Sequence, residues 1–312
     1  MNAAAGTDRK PTWPGFLRSG DVIGLIAPAG PIRNMDRVER GISLLRTRGF
    51  QVLSLGRLET GNGFLAASDR QRAAELHDLW ARKEVRALLA IRGGYGCLRL
   101  LPHLDLELLT KNPKLLIGFS DITALLNLIS QETGLVTVHG PVLSSLARCD
   151  RQSLDTLFSL LTGNLPRYRP PGLKILRPGS ASGLLRGGNL TTLVHLLGTP
   201  WEIRWDGTLL ILEDTGEPPY RLDRMLTQLA ASGVLDRLSG LILGSFDDGG
   251  TDSRTTRDLS RQVWERVLEL TEQCSCPVWA NFPVGHLAAN LAIPLGVRAT
   301  MDDSTGTLQI DS

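Results

Sequence analysis

Lys114-Leu-Leu-Ile-Gly-Phe-Ser-Asp-Ile-Thr-Ala-Leu-Leu-Asn-Leu-Ile129 decides the fold. Its first residues form a short apolar strand, and the chain then turns abruptly through Gly118-Phe119-Ser120-Asp121 into an amphipathic helix. A strand that runs through a tight turn into a helix is the building unit of a parallel α/β sheet. A serine at such a turn has its hydroxyl pushed clear of the backbone, with the first helical amides nearby to bind negative charge. That is how a nucleophile is presented. From this segment alone the favoured reading is a helix N-cap with no chemistry.

Working outward, Val22-Ile-Gly-Leu-Ile-Ala27, Gln51-Val-Leu-Ser-Leu55, Val85-Arg-Ala-Leu-Leu-Ala-Ile91 and Leu115-Leu-Ile-Gly118 read as strands. Helical periodicity over Met35 to Arg48 and over Asp69 to Arg82 alternates with them. Continuous apolar strands interleaved with helices imply a largely parallel sheet covered on both faces, so the first domain is α/β and Rossmann-like in outline. The segment 164–188, rich in Pro, Gly and Arg, reads as a linker. Beyond it, Asn189 to Gly198 carries helix punctuation at both ends, and Thr208-Leu-Leu-Ile-Leu212 is a strand. Tyr220 to Ala231 is a helix, Leu241-Ile-Leu-Gly244 a strand, Thr255 to Glu272 a long helix, and Val278 to Ile310 holds short strand-like pieces. The division is therefore 1–163, linker 164–188, and a second α/β domain over 189–312.

With 312 residues the chain exceeds one ordinary core and fits two domains. The net charge of +2 is small, the basic residues are scattered and only 5% of residues are aromatic, which disfavours a nucleic-acid partner and points to a small or peptide-like ligand. Met1 to Gly20 contains charges and prolines but no apolar run of signal-peptide length, and no window reaches the roughly 18 apolar residues of a membrane span. A soluble cytoplasmic protein is the expectation. Cys97, Cys149, Cys274 and Cys276 read as free thiols in a reducing compartment, since a lone Cys-Ser-Cys supports neither a zinc site nor a disulfide framework. No metal or cofactor is expected.

A serine hydroxyl is a poor nucleophile until a base takes its proton. His77 and His195 sit in predicted helices, and His103 lies at a helix end. His139, in Val136-Thr-Val-His-Gly-Pro141, and His286, in Phe282-Pro-Val-Gly-His-Leu-Ala-Ala-Asn290, both lie in turn-rich contexts that can face a cleft. The residues alone leave the base divided between these two. An imidazole base needs a carboxylate to fix its tautomer. Glu213 and Asp214 stand at the carboxyl end of a buried strand, where open α/β domains build sites, with Glu217 close behind. At least one of the three is expected merely to cap the following helix. Arg92-Gly-Gly-Tyr-Gly96 is a glycine loop whose amides at Gly93 and Gly94 can approach a ligand closely, yet it matches neither a dinucleotide fingerprint nor a Walker loop. Arg92 is placed to grip a carboxylate or, equally, to pair with a neighbouring acid, and Tyr95 belongs to the same substrate-facing loop.

Several strings taken together resemble the LD-carboxypeptidase family of serine peptidases, whose members include murein-peptide carboxypeptidases and microcin C immunity proteins. They are Ile26-Ala-Pro-Ala-Gly30, Arg92-Gly-Gly-Tyr-Gly96, Gly118-Phe-Ser-Asp121, His139-Gly-Pro141, Gly187-Gly-Asn189, Gly198-Thr-Pro-Trp201, Leu212-Glu-Asp214, Tyr220-Arg-Leu-Asp-Arg-Met-Leu226, Leu243-Gly-Ser-Phe246 and Gly285-His286. The resemblance implies a triad of Ser120, Glu213 and His286, resolving the histidine in favour of His286, and an oxyanion hole from the backbone amides of Gly94 and Asp121. It implies a Rossmann-like domain with a smaller swivelling β/α domain, and homodimers. It also implies release of D-alanine from murein tetrapeptides, with hydrolysis of microcin C-type peptidyl nucleotides as the alternative. A non-catalytic small-ligand binder is the competing class. Ile122 stands at the second glycine position of a G-x-S-x-G elbow, so kinship with the α/β-hydrolases does not follow.

Overall fold

The computed structural model describes residues 9–56, 61, 63–250 and 253–311. Residues 1–8 of the Met1 to Gly20 stretch, and Thr251 and Asp252, lie outside the described residues.

The first half runs β1 (Val22–Ile26), α1 (Met35–Thr47), β2 (Gln51–Leu53), α2 (Asp69–Ala81), β3 (Val85–Ala90), α3 (Leu106–Lys111), β4 (Leu115–Gly118), α4 (Thr123–Thr133), β5 (Thr137–His139), α5 (Leu143–Leu146) and α6 (Arg151–Leu161). All five strands pair in parallel. Their apolar residues are buried because helices cover both faces, so a run such as Leu115–Gly118 has no solvent side to alternate with. Local chemistry sets the helix ends. Ser68 and Gln71 form a capping box at the start of α2, and Gly134, at φ 77°, closes α4 in the left-handed region.

The second half contains β6 (Arg167–Tyr168), β7 (Lys174–Arg177), β8 (Ala181–Asn189), α7 (Leu190–Val194), β9 (Thr208–Thr215), α8 (Pro219–Ala231), β10 (Gly240–Asp247), α9 (Ser253–Leu270), β11 (Val278–Ala280), β12 (Ile293–Leu295), β13 (Arg298–Asp302) and β14 (Thr307–Ile310). These build an eight-stranded sheet in the order β6-β14-β13-β8-β9-β10-β11-β7, parallel from β8 to β11 and antiparallel at its edges. The two-domain α/β architecture is thus present, although the second sheet has more strands than the first.

Two features depart from the expected organisation. The 164–188 segment is not irregular: it supplies β6, β7 and most of β8. Its prolines and glycines look like breakers, but short edge strands tolerate nearby proline, and the glycines of β8 serve close packing. The second departure is β12, which leaves its own half and pairs antiparallel with β5, setting Ile293 opposite His139. The first sheet is therefore six-stranded, β12-β5-β4-β3-β1-β2.

The halves are joined at α4. Asn127 on that helix donates its amide to the Gly187 carbonyl at 2.9 Å and accepts from the Gly187 amide at 3.0 Å. Two residues further along β8, the Asn189 amide donates to Thr123 Oγ1, one turn back on α4, at 3.1 Å. Such closeness needs glycine at 188, where a Cβ would lie 2.5 Å from Thr123 Oγ1. The helix that follows the serine turn is thereby fixed to β8, and β8 carries β9 beside it.

Among the described residues no helix is long and apolar enough to cross a membrane, and all four cysteines are free.

Candidate active site

Ser120 does not cap a helix. After an extended Phe119, Ser120 adopts φ 64° and opens a single 3₁₀ turn, Ser120–Ile122, while the N-cap of α4 is Ile122 with no side-chain bond. A left-handed non-glycine residue costs roughly 1–3 kcal/mol, and surrounding structure must hold it there. Gly93 supplies one wall: a Cβ at that position would lie 2.8 Å from Ser120 Cβ and 2.9 Å from its Oγ.

The glycine loop is held rigidly against this turn. The Asp121 carboxylate accepts from the Cys97 amide at 2.8 Å, and the Gly30 amide donates to the Gly93 carbonyl at 3.3 Å. Gly94 sits at φ 127°, with a hypothetical Cβ 3.1 Å from the Gly30 backbone. Arg72, almost wholly buried, donates to the carbonyls of Pro28 and Gly96 and pairs with Asp69 at 2.5 Å. Sequence reading missed that guanidinium, because an arginine on a helix ordinarily reads as surface. Tyr95 is 53% exposed and packs edge-on against Phe64 at 5.5 Å.

Glu213 is fully buried at the end of β9, opposite Asn189 of β8. Its Oε2 lies 2.8 Å from His286 Nδ1. Gly285, at φ 126°, brings the histidine loop onto the carboxylate, since a Cβ there would stand 3.2 Å from Glu213 Oε2. Asn290 fastens that loop by accepting from the Gly285 amide at 3.1 Å, and its own amide donates to Ser153 Oγ on α6 at 2.8 Å. The Phe119 ring covers the imidazole at 4.6 Å between centroids. Burial pulls the His286 pKa down, but the charge and hydrogen bond of Glu213, with Asp247 and Asp214 beyond, outweigh it and leave the value raised. Burial conversely pushes the Glu213 carboxyl up, and His286, His139 and the Asn189 side chain outweigh it, leaving that pKa lowered.

His139, the other candidate base, is fully buried, with neither ring nitrogen in a hydrogen bond. Burial is the main cause that takes its pKa down to about 4. Asp214 braces α7 rather than the helix that follows it, accepting from the Thr191 amide and hydroxyl, both at 2.8 Å, and from the Asn189 side chain at 2.9 Å. Burial and the neighbouring Glu213 charge raise its pKa to about 6. Glu217 pairs with Arg221, and Pro218, not a carboxylate, stands at the start of α8.

Ser120, Gly93, Gly94, Arg92 and His286 line one cavity of about 360 Å³. Among the described residues no hydrogen bond joins Ser120 Oγ to the imidazole; the two groups are walls of the same space, and such bonds commonly tighten only when substrate enters. Arg92 donates to the Pro31 carbonyl at 2.7 Å rather than to an acid. Arg33, Arg37 and Arg148 also line the cavity. Sequence reading passed over them, because they come from the start of α1 and the segment after α5, far from any motif.

The LD-carboxypeptidase N-terminal domain profile matches residues 23–140, and the C-terminal domain profile matches residues 182–301. The probable murein peptide carboxypeptidase of Bacillus subtilis is 36% identical over 96% of this chain and 94% of its own length. The microcin C7 self-immunity protein MccF of Escherichia coli is 29% identical over 94% of each. The crystal structure of muramoyltetrapeptide carboxypeptidase from Oxalobacter formigenes superposes with a TM-score of 0.79 at 30% identity, covering 93% of this chain and 97% of that one. With two domain profiles in order and similarity along nearly its whole length, the chain belongs to the LD-carboxypeptidase family.

Proposed function

We propose that the protein cleaves the L,D-amide bond of murein tetrapeptides and releases their terminal D-alanine through a Ser120–His286–Glu213 relay. The carrying observation is the 2.8 Å contact between His286 Nδ1 and the buried Glu213 carboxylate, on the wall of the cavity that also holds a left-handed serine. Glu213 accepts from Nδ1–H, which leaves Nε2 as the basic nitrogen. His286 takes the Ser120 proton as Oγ attacks the amide carbonyl. The tetrahedral oxyanion is stabilised by the backbone amides of Gly94 and Asp121, and losing one such donor is expected to cost roughly 10²–10³ in turnover. His286 then returns the proton to the departing D-alanine nitrogen. Water, deprotonated by the same imidazole, hydrolyses the acyl-enzyme and regenerates the serine.

The names of the Bacillus and Oxalobacter relatives support a murein peptide substrate. Similarity to MccF supports a second reading, hydrolysis of microcin C-type peptidyl nucleotides. Apart from the His286 imidazole, Phe119 is the only aromatic ring among the described residues of the cavity wall, and it already covers His286, which favours the murein reading. The proposal includes a cytoplasmic homodimer and a role for Arg92 in gripping the terminal carboxylate.

Incubation with L-Ala-D-Glu-meso-diaminopimelate-D-Ala should release D-alanine. Ser120→Ala should lower turnover by on the order of 10⁴–10⁶ while melting like the parent protein. Retained cleavage in that variant removes the serine from the mechanism, and release of a nucleotide-linked product in place of D-alanine selects the second reading.

A further inference from the structure

We propose that Arg33, Arg37 and Arg148 form a subsite for a substrate carboxylate other than the one on the leaving residue, so that the enzyme selects acidic peptides. The inference rests on the peptidase reading above and names what that site prefers.

Arg33, Arg37, Arg92 and Arg148 face one cavity, and no aspartate or glutamate is among the described residues that line it. Asp36 and Glu39 share α1 with Arg37, and Asp150 follows Arg148, yet none of these acids reaches the cavity wall. Arg33, Arg37 and Arg148 are exposed and make no ion pair among the described residues, whereas Arg48, Arg99, Arg221 and Arg266 elsewhere on the molecule each pair with a carboxylate. The guanidinium of Arg92 is half-buried on the Pro31 carbonyl. Burial, and after it the charge of Arg33, hold its pKa below the ordinary arginine value.

Like charges converging on one cavity repel, and an anion that enters relieves the repulsion while filling their planar hydrogen-bond forks. Amide hydrolysis itself asks for none of this. One arginine suffices for a C-terminal carboxylate, so three more imply further negative charge on the ligand. A phosphoryl group shares that chemistry. The observations favour carboxylates, because the wall offers no free aromatic face on which a nucleotide base stacks.

The test uses the full-length protein and two tetrapeptides. One is L-Ala-D-Glu-meso-diaminopimelate-D-Ala with every carboxylate free; the other has the D-Glu α-carboxylate and the diaminopimelate side-chain carboxylate amidated, and keeps the terminal one. Wild-type enzyme should favour the free acid by about tenfold or more, expressed in KM, since each charge-assisted hydrogen bond is worth roughly that factor. The triple variant Arg33→Gln, Arg37→Gln, Arg148→Gln should lose most of that preference, and Arg37→Gln alone should lose part of it. Arg261→Gln, exposed on α9, should retain it.

Equal KM values for the two peptides in wild type, or an undiminished preference in the triple variant, overturn the proposal. So does an equal loss in Arg261→Gln, which makes the effect one of bulk charge. Binding of both peptides and of AMP to the Ser120→Ala protein separates this claim from the peptidase reading. If wild type releases no D-alanine from either peptide, the reading falls, and the subsite is judged by whether binding still distinguishes acid from amide. AMP displacing the peptide more strongly than the tripeptide L-Ala-D-Glu-meso-diaminopimelate does would assign the arginines to phosphoryl groups instead.

Discussion

His286 and His139 both pack against the Phe119 ring, with centroids 4.6 and 6.1 Å from it, and both interact with the Glu213 charge. Their chemistry is opposite. His286 has a hydrogen-bonded carboxylate, an edge on the cavity and a raised pKa. His139 has no hydrogen-bond partner, no exposure and a pKa lowered to about 4. The same side chain has its pKa raised or lowered according to whether its nitrogen meets the carboxylate or is buried without a hydrogen-bond partner. Turn-rich sequence surrounds both, so a local string carries no information on which histidine gains the partner.

Four experiments bear on this contrast. The largest effect is expected from His286→Ala, which should lower kcat by about 10⁴–10⁶ with L,D-tetrapeptide as substrate. A variant that keeps turnover within tenfold would return His139 to consideration as the base. Gly93→Ala comes next. Its new Cβ meets Ser120 at 2.8 Å and must displace the hydroxyl, for an expected loss of about 10² in kcat measured at saturating peptide. An unaltered rate there means that the serine is not held where the relay requires it.

His139→Leu should be milder, at under about tenfold in kcat. A thermal melt should show a change of no more than about 1–2 kcal/mol, because an apolar group replaces nitrogens that had no partner. A loss as deep as that of His286→Ala would place His139 inside the relay. The smallest effect is a displaced pH profile. His286 must be neutral to accept a proton, so activity should fall on acidification through a midpoint above the ordinary 6.5. In Glu213→Gln the residual activity should have its acid limb at lower pH, since burial is then opposed only by the charges of Asp247 and Asp214. The stability linkage has the opposite sense: the raised pKa contributes stability fully present below pH ~6.5 and lost as pH rises through the folded value. A limb that does not move in Glu213→Gln breaks the assignment of the carboxylate as its cause.

Much of the fold was readable because its signals are local. The apolar strings of β1, β3 and β4 have strand length, and the Asn189 cap marks a helix start. Ser120, the glycine loop and Glu213 were visible as candidates for the same reason, each lying next to the end of a strand. What escaped depends on distant partners. Gly187 and Gly188 looked like flexible composition, whereas they let β8 press against α4. Asp214 looked like a companion to Glu213, and its bonds instead secure Thr191, more than twenty positions earlier. Tyr95 seemed bound to the fate of its glycine neighbours, yet the positive φ values of Gly94 and Gly96 on either side turn it outward onto Phe64. Arg33, Arg37 and Arg148 belong to no motif, and only tertiary packing gathers them.

The return of Ile293–Leu295 to the edge of the first sheet has a consequence for biosynthesis. A ribosome making this polypeptide cannot supply that closing strand until residues 293–295 have been made, long after β5, so β5 must wait with an unsatisfied row of amides and carbonyls. A nascent chain halted before residue 293 would carry a sticky, unfinished edge prone to pairing with other molecules, and prematurely terminated products should be found in inclusion bodies rather than as a folded half.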